Sequence, residues 1–230
     1  DGSVLRARDR YSIAELNQFS VEYRGKFMDN KLTATVGIRA PYFKRELNQY
    51  CYTQNTTSNV LCTTQAPVTT LANGNVRFLA GAATTAANPE YIPAYTDKVK
   101  FDQILPNVGF TYQPWDNHSF YISYAEGLSA PRTDNLYTAG RLTSSTTISR
   151  GLPDPESTKA TDIGWRYNNE SVLASVALWH SDYTNRIVSA FDAVQGFNVD
   201  RNVGDVKING MDMQVGWRVT QSVTLSSSAS

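Results

Sequence analysis

Two-residue periodicity constrains this chain more than any other feature. In ILPNVGFTYQPWDNHSFYISYAEGLSAPRTDNLY (residues 104–137), Val108, Phe110 and Tyr112 alternate with Asn107, Gly109, Thr111 and Gln113. Past the polar knot Trp115-Asp116-Asn117-His118, Phe120, Ile122 and Tyr124 alternate with Tyr121, Ser123 and Ala125. Successive side chains of a strand point to opposite sides, so this is a β-hairpin with one apolar face. The pattern recurs. Phe19, Val21, Tyr23, Gly25 and Phe27 oppose Ser20, Glu22, Arg24 and Lys26, and Leu32, Ala34, Val36 and Ile38 oppose Thr33, Thr35, Gly37 and Arg39. Ile163, Trp165 and Tyr167 oppose Asp162, Gly164 and Arg166, while Met211, Met213, Val215, Trp217 and Val219 oppose Asp212, Gln214, Gly216 and Arg218. Residues 172–182 are small and apolar on both faces. With a last stub at Val223, the expectation is about eight antiparallel strands.

The connections alternate in length. Met28-Asp29-Asn30, the knot at residues 115–118, Asn168-Asn169-Glu170 and Thr220-Gln221-Ser222 are tight turns. Residues 41–97, 127–157 and a shorter stretch at 192–196 form the longer connections. In an up-and-down sheet all short turns then fall at one end, an asymmetry of outer-membrane barrels that a soluble sandwich does not need. Aromatics gather beside the short turns (Phe27, Tyr112, Trp115, Phe120, Tyr167 and Trp217), as in an interfacial girdle. No run approaches the roughly 18 apolar residues of a spanning helix. A mean hydropathy of −0.38 is compatible with a barrel, in which every second residue faces the lumen. Twenty-one basic and 21 acidic residues cancel, so no nucleic-acid partner is expected.

The chemistry of an enzyme is not expected. His180-Ser181-Asp182 has triad letters, but on a strand Ser181 points away from its two neighbours. Asp154, Glu156, Asp162 and Asp182 read as solvated carboxylates; no catalytic residue, metal site or cofactor is assigned. Cys51 and Cys62 lie in the longest loop without a third metal ligand nearby and are expected to form a disulfide, made in an oxidising compartment.

Five segments in order, PNVGFTYQPW, SFYISYAEGLSAP, PESTKATDIGWRY, ALWHSDYTNRIVS and NVGDVKINGMDMQVGW, resemble the middle-to-late barrel of TonB-dependent outer-membrane receptors. Asp212 stands where that family commonly has Glu. The resemblance implies an all-β, up-and-down transmembrane barrel in which these strands are about a third of a 22-strand circumference. It also implies location in the Gram-negative outer membrane, uptake of a ferric siderophore, cobalamin, nickel chelate or oligosaccharide, and energy from the TonB–ExbB–ExbD complex. Residues 1–230 are then one partial barrel domain without the family's plug or TonB box. The start, DGSVLRARDR, lacks the apolar region of a signal peptide, and the end, VTLSSSAS, stops inside an alternating run, so both termini read as cut. Candidate ligand-capture residues are Tyr91, Tyr95, Arg132, Tyr137 and Arg141, aromatics and guanidiniums suited to sugars or anionic chelates. The competing expectations are a soluble β-sandwich that binds carbohydrate and, less favoured, an outer-membrane enzyme barrel.

Overall fold

The computed structural model describes residues 8–54, 62–81, 88–134, 136–137, 153–193 and 197–230. Its first strands are β1 (Arg10–Phe27) and β2 (Leu32–Gln49). Five short strands follow in the first long connection: β3 (Tyr52–Gln54), β4 (Cys62–Thr63), β5 (Thr69–Thr70), β6 (Val76–Arg77) and β7 (Tyr91–Ile92). Then come β8 (Tyr95–Asp102), β9 (Leu105–Trp115), β10 (His118–Ser129), β11 (Glu156–Asn168) and β12 (Val172–Thr184). The chain closes with β13 (Ile187–Asp192), β14 (Phe197–Asn202), β15 (Val206–Thr220) and β16 (Val223–Ala229).

The main sheet is a meander in the order β1-β2-β9-β10-β11-β12-β15-β16, with β8 also paired to β2, every pair antiparallel. Short turns join β1 to β2, β9 to β10, β11 to β12 and β15 to β16, all at one end. Left-handed backbone at Met28, Asp29 and Asn30 tightens the first, and the Asn169 side chain accepts from the amides of Ser171 and Val172 in the third. Among the described residues no second sheet packs on this one. Phe19, Tyr23 and Trp217 keep 64%, 65% and 52% of their surface exposed, which removes the sandwich. Their face is the lipid side of a barrel sector, as expected from the alternation.

Three expectations about extent need correction. β1 starts at Arg10, nine residues before Phe19, and β2 runs through Pro41 to Gln49, so the first connection covers about residues 50–94 rather than 41–97. Pro41 is tolerated in the strand because it lies opposite the break between β8 and β9, where the ladder is interrupted anyway. Around the expected connection at 192–196, Asp192 pairs with Phe197 in the separate β13–β14 hairpin, which lies within a longer excursion between β12 and β15.

The apolar band of the outer face is slanted. On β1 it covers Phe19 to Phe27 and on β15 Met211 to Val219, nine residues on each, as a tilted strand needs to cross a bilayer. Yet the ladder from Met211 passes through Leu178, Ile163, Ile122, Phe110 and Ala34 and reaches β1 at Gly25, six residues short of Phe19. Six residues are about 20 Å of strand, gained over six interstrand spacings of about 4.8 Å, which is a tilt of about 35°. That is the tilt of a closed transmembrane barrel.

The lumen face is packed by pairing rings with glycines. The Trp179 ring lies over Gly210 and the Tyr121 ring over Gly164, so that a Cβ at either glycine would collide with the ring. Arg166 covers Tyr121, its guanidinium 4.3 Å from the ring centre. Gly216, on the same face of β15, has nothing near its missing Cβ. In the full-length protein, Gly210→Ala is expected to cost about 1–3 kcal/mol of stability through overpacking, while Gly216→Ala changes little; equal effects in detergent unfolding would contradict this packing.

Candidate ligand-capture surface

Above the apolar band, β1, β2 and β8 continue together as an extension whose lumen side is covered by the connection that follows β10. Leu136 and Tyr137, in a helical turn closed by Leu136 N donating to Arg132 O, pack on Leu47, Val99 and Phe101, with Phe43, Tyr95 and Ala130 around them. Leu136 and Tyr137 are 0% and 2% exposed. Burying two such side chains supplies about 2–3 kcal/mol each.

Polar contacts fix the pose. The Tyr137 hydroxyl is 2.8 Å from Ser12 Oγ and 3.4 Å from the Asn48 carbonyl. Arg10 stacks on the Tyr137 ring at 4.3 Å and donates through Nε to Gln49 Oε1. Burial lowers the pKa of the Arg10 guanidinium, opposed by the nearby Tyr95 and Tyr137 oxygens and Asp134; an arginine remains a cation there at neutral pH. Across the mouth, Arg132 meets Asp200 of β14 at 3.5 Å while 71% of its side chain stays exposed. Glu156 at the top of β11 binds Arg186 Nη1 at 2.8 Å and the amide of Ile187, anchoring the β13–β14 hairpin.

The first connection is built rather than loose. Strands β3 to β7 form a small sheet in the order β4-β3-β7-β6-β5, and Cys51 is bonded to Cys62 as expected. Phe78 meets the rings of Tyr52 and Tyr91 edge to face at 5.5 and 4.9 Å, and burial raises the Tyr91 phenol above its ordinary pKa. Arg77, almost fully buried, reaches Glu90 at 3.5 Å and the Gly81 carbonyl at 3.2 Å.

Of the five sequence candidates, Tyr95 and Tyr137 are brought together, their rings 6.4 Å apart. Tyr91 belongs to the small sheet, Arg132 lies across the mouth, and Arg141 falls outside the described residues. Arg10, Ser12, Asn48 and Gln49 were missed. They sit where both faces of the strand meet water or loops, so no alternation marks them. His180 and Asp182 share the outer face 3.1 Å apart, and Ser181 points into the lumen, so the three do not converge.

A family model described as "TonB dependent receptor-like, beta-barrel" matches residues 2–230. The chain belongs to the TonB-dependent receptor family. Members are proteins of the Gram-negative outer membrane, and so is this one. It is 26% identical over 140 residues to the probable TonB-dependent siderophore receptor PiuA of Acinetobacter baumannii, a match over 58% of this chain and 17% of that protein. In fold it is similar to the copper transporter OprC, with TM-score 0.67, 14% identity and coverage of 94% of this chain and 28% of OprC. The ferric yersiniabactin uptake receptor FyuA of Yersinia pestis gives TM-score 0.58, 15% identity and coverage of 96% and 28%. The chain thus spans between 17% and 28% of the length of these relatives; it is a sector of a TonB-dependent receptor barrel.

Tyr137→Phe removes the hydroxyl from its cage at a cost of about 1 kcal/mol, equivalent to about fivefold faster amide exchange over residues 130–137. Exchange in β11 and β12 is expected to stay unchanged, and a variant with wild-type exchange at 130–137 would show that the hydroxyl does not hold the segment.

Proposed function

We infer that this sector serves an outer-membrane receptor that captures a scarce solute and admits it to the periplasm, driven through the TonB–ExbB–ExbD complex. The observation that carries this reading is the family match along the whole chain. The relative named a siderophore receptor favours a ferric siderophore over cobalamin or an oligosaccharide. The lumen chemistry agrees: by register, Arg24, Arg39, Arg45 and Arg166 lie on the lumen face, where guanidiniums bind carboxylate-like oxygens in pairs. Among the capture candidates, Arg132 and Arg141, on the same connection, would meet such an anion directly. Tyr91 and Tyr95 would offer ring faces, and Tyr137 would hold the connection in place. Energy coupling and gating belong to a plug and a TonB box, family elements that residues 1–230 do not supply.

Two measurements test the reading. Cells carrying the full-length receptor are expected to bind a ferric chelate with or without an energised inner membrane but to import it only with one; import that survives collapse of the proton gradient would contradict coupling. The 230-residue chain alone, reconstituted in liposomes, is expected to give neither uptake nor single-channel conductance, since its two edges are open.

A further inference from the structure

The cations of the mouth differ in what their charge meets. Arg77, Arg132 and Arg186 are each paired with a carboxylate, of Glu90, Asp200 and Glu156. Arg10, at the top of β1 on the lumen face, has no carboxylate at ion-pair distance among the described residues. Asp134, on the connection that covers this wall, is close enough to act on the Arg10 charge but makes no ion pair with it.

The Arg10 guanidinium is nevertheless held in place. One face lies 4.3 Å from the centre of the Tyr137 ring, and Nε donates to Gln49 Oε1 at 3.0 Å. The backbone beneath it is the last rung of the β1–β2 ladder, closed by Tyr50 N donating to Asp9 O. These contacts commit only Nε. The two terminal nitrogens have no hydrogen-bond partner among the described residues. Neither of them is sealed off from solvent, as the unpartnered Nε atoms of Arg45 and Arg77 are.

Gln49 sets the direction of this group. It is 3% exposed, and both ends of its amide are used. Oε1 accepts from Arg10, while Nε2 donates to the Cys51 carbonyl at 3.4 Å and to Cys51 Sγ at 2.8 Å. Cys51 is tied by its disulfide to Cys62 of β4. The small sheet therefore fixes Gln49, and Gln49 fixes the rotation of the Arg10 plane on the Tyr137 ring. The edge left over is the pair of parallel N–H groups on Nη1 and Nη2, which matches the two oxygens of a carboxylate. A guanidinium that is half-buried without a counter-charge also gains more from an arriving anion than one already paired.

We propose that Arg10 is an anion anchor of the mouth, taking a carboxylate of the incoming iron chelate end-on through Nη1 and Nη2, with Gln49 as its positioning residue. The inference rests on the uptake reading above and deepens it. It names the ligand group: a negatively charged carboxylate chelate rather than an uncharged hydroxamate one.

The test treats the full-length receptor with phenylglyoxal, which adds to the paired nitrogens of an accessible guanidinium, and maps the modified arginines by mass. Arg10 is expected to react faster than Arg77, which is 5% exposed. Ferric citrate is expected to protect it, and an uncharged ferric trihydroxamate is not. Affinity for ferric citrate, measured without an energised membrane, should fall about tenfold in Arg10→Gln, the scale of one charge-assisted pair. Arg10→Lys keeps the charge without the fork and should fall by less, about threefold, as should Gln49→Leu. Asp134→Asn should bind more tightly, a sign that a merely structural role for Arg10 does not give. Equal modification of Arg10 with and without ferric citrate overturns the proposal, and this arm needs no variant. So does unchanged affinity in Arg10→Gln, equal protection by the trihydroxamate, which would make the effect steric cover, or protection by inorganic phosphate alone, which would make this a phosphate site. Import that proves uncoupled from the inner membrane would contradict the uptake reading and leave the anchor standing.

Discussion

Every backbone N–H and C=O that enters hydrocarbon must find a partner inside the protein, because none is available outside and each unpaired group costs several kcal/mol. The rest of this structure follows from that requirement. It forces the strands into one continuous sheet from β1 to β16, and it forces that sheet to tilt, since a sheet can close into a barrel only with strands inclined to its axis. The tilt then dictates where apolar side chains fall. They step along the sheet by six residues between Phe19 and Met211 so that the band stays level in the membrane while the hydrogen-bonding rows climb through it.

Inside the ladder, the two faces solve different problems. The outer face packs against fluid chains and needs only apolar bulk. The lumen face must hold its own shape, and it does so by laying Tyr121 and Trp179 across the glycines of the next strand. At the short-turn end the outer face adds a ring cluster in which Trp165 Nε1 donates to His118 Nδ1 at 3.1 Å and His118 contacts Trp115 and Tyr167. An irregular register between His118 and Phe120 brings Trp115 to this side; strict alternation from Tyr112 would have sent it to the lumen. Bulges commonly re-aim a side chain in this way.

The sequence was legible where solvent differs across the sheet. Between Phe19 and Phe27, or Met211 and Val219, one face meets lipid and the other a polar interior, and alternation shows at once. Residues 10–18 and 42–49 belong to the same strands but rise above the band, where neither face meets hydrocarbon, so the periodicity fades and the strand ends were misplaced. The small sheet at residues 52–92 was invisible for another reason. Its strands are two or three residues long, too short for a period, and a disulfide with an aromatic cluster fixes them instead of alternation. The candidate site was legible only in residue types. That Tyr137 is buried under Arg10 and against Ser12 depends on a contact across 125 positions of chain, for which no local pattern gives a sign.

The central claim is that the membrane plane cuts obliquely across the hydrogen-bonding rows. Nitroxide labels placed singly at Tyr23 and Val215, the midpoints of the band on β1 and β15, test it directly in the full-length receptor. These two sites are three outward ladder positions apart by register. Collision with oxygen and with a water-soluble nickel chelate should place both at the same depth near the bilayer centre, while a label at Asp162 should report the polar lumen. Depths differing by more than about 10 Å, roughly half the displacement of the rows, would mean that the apolar band is not the membrane-facing belt described above.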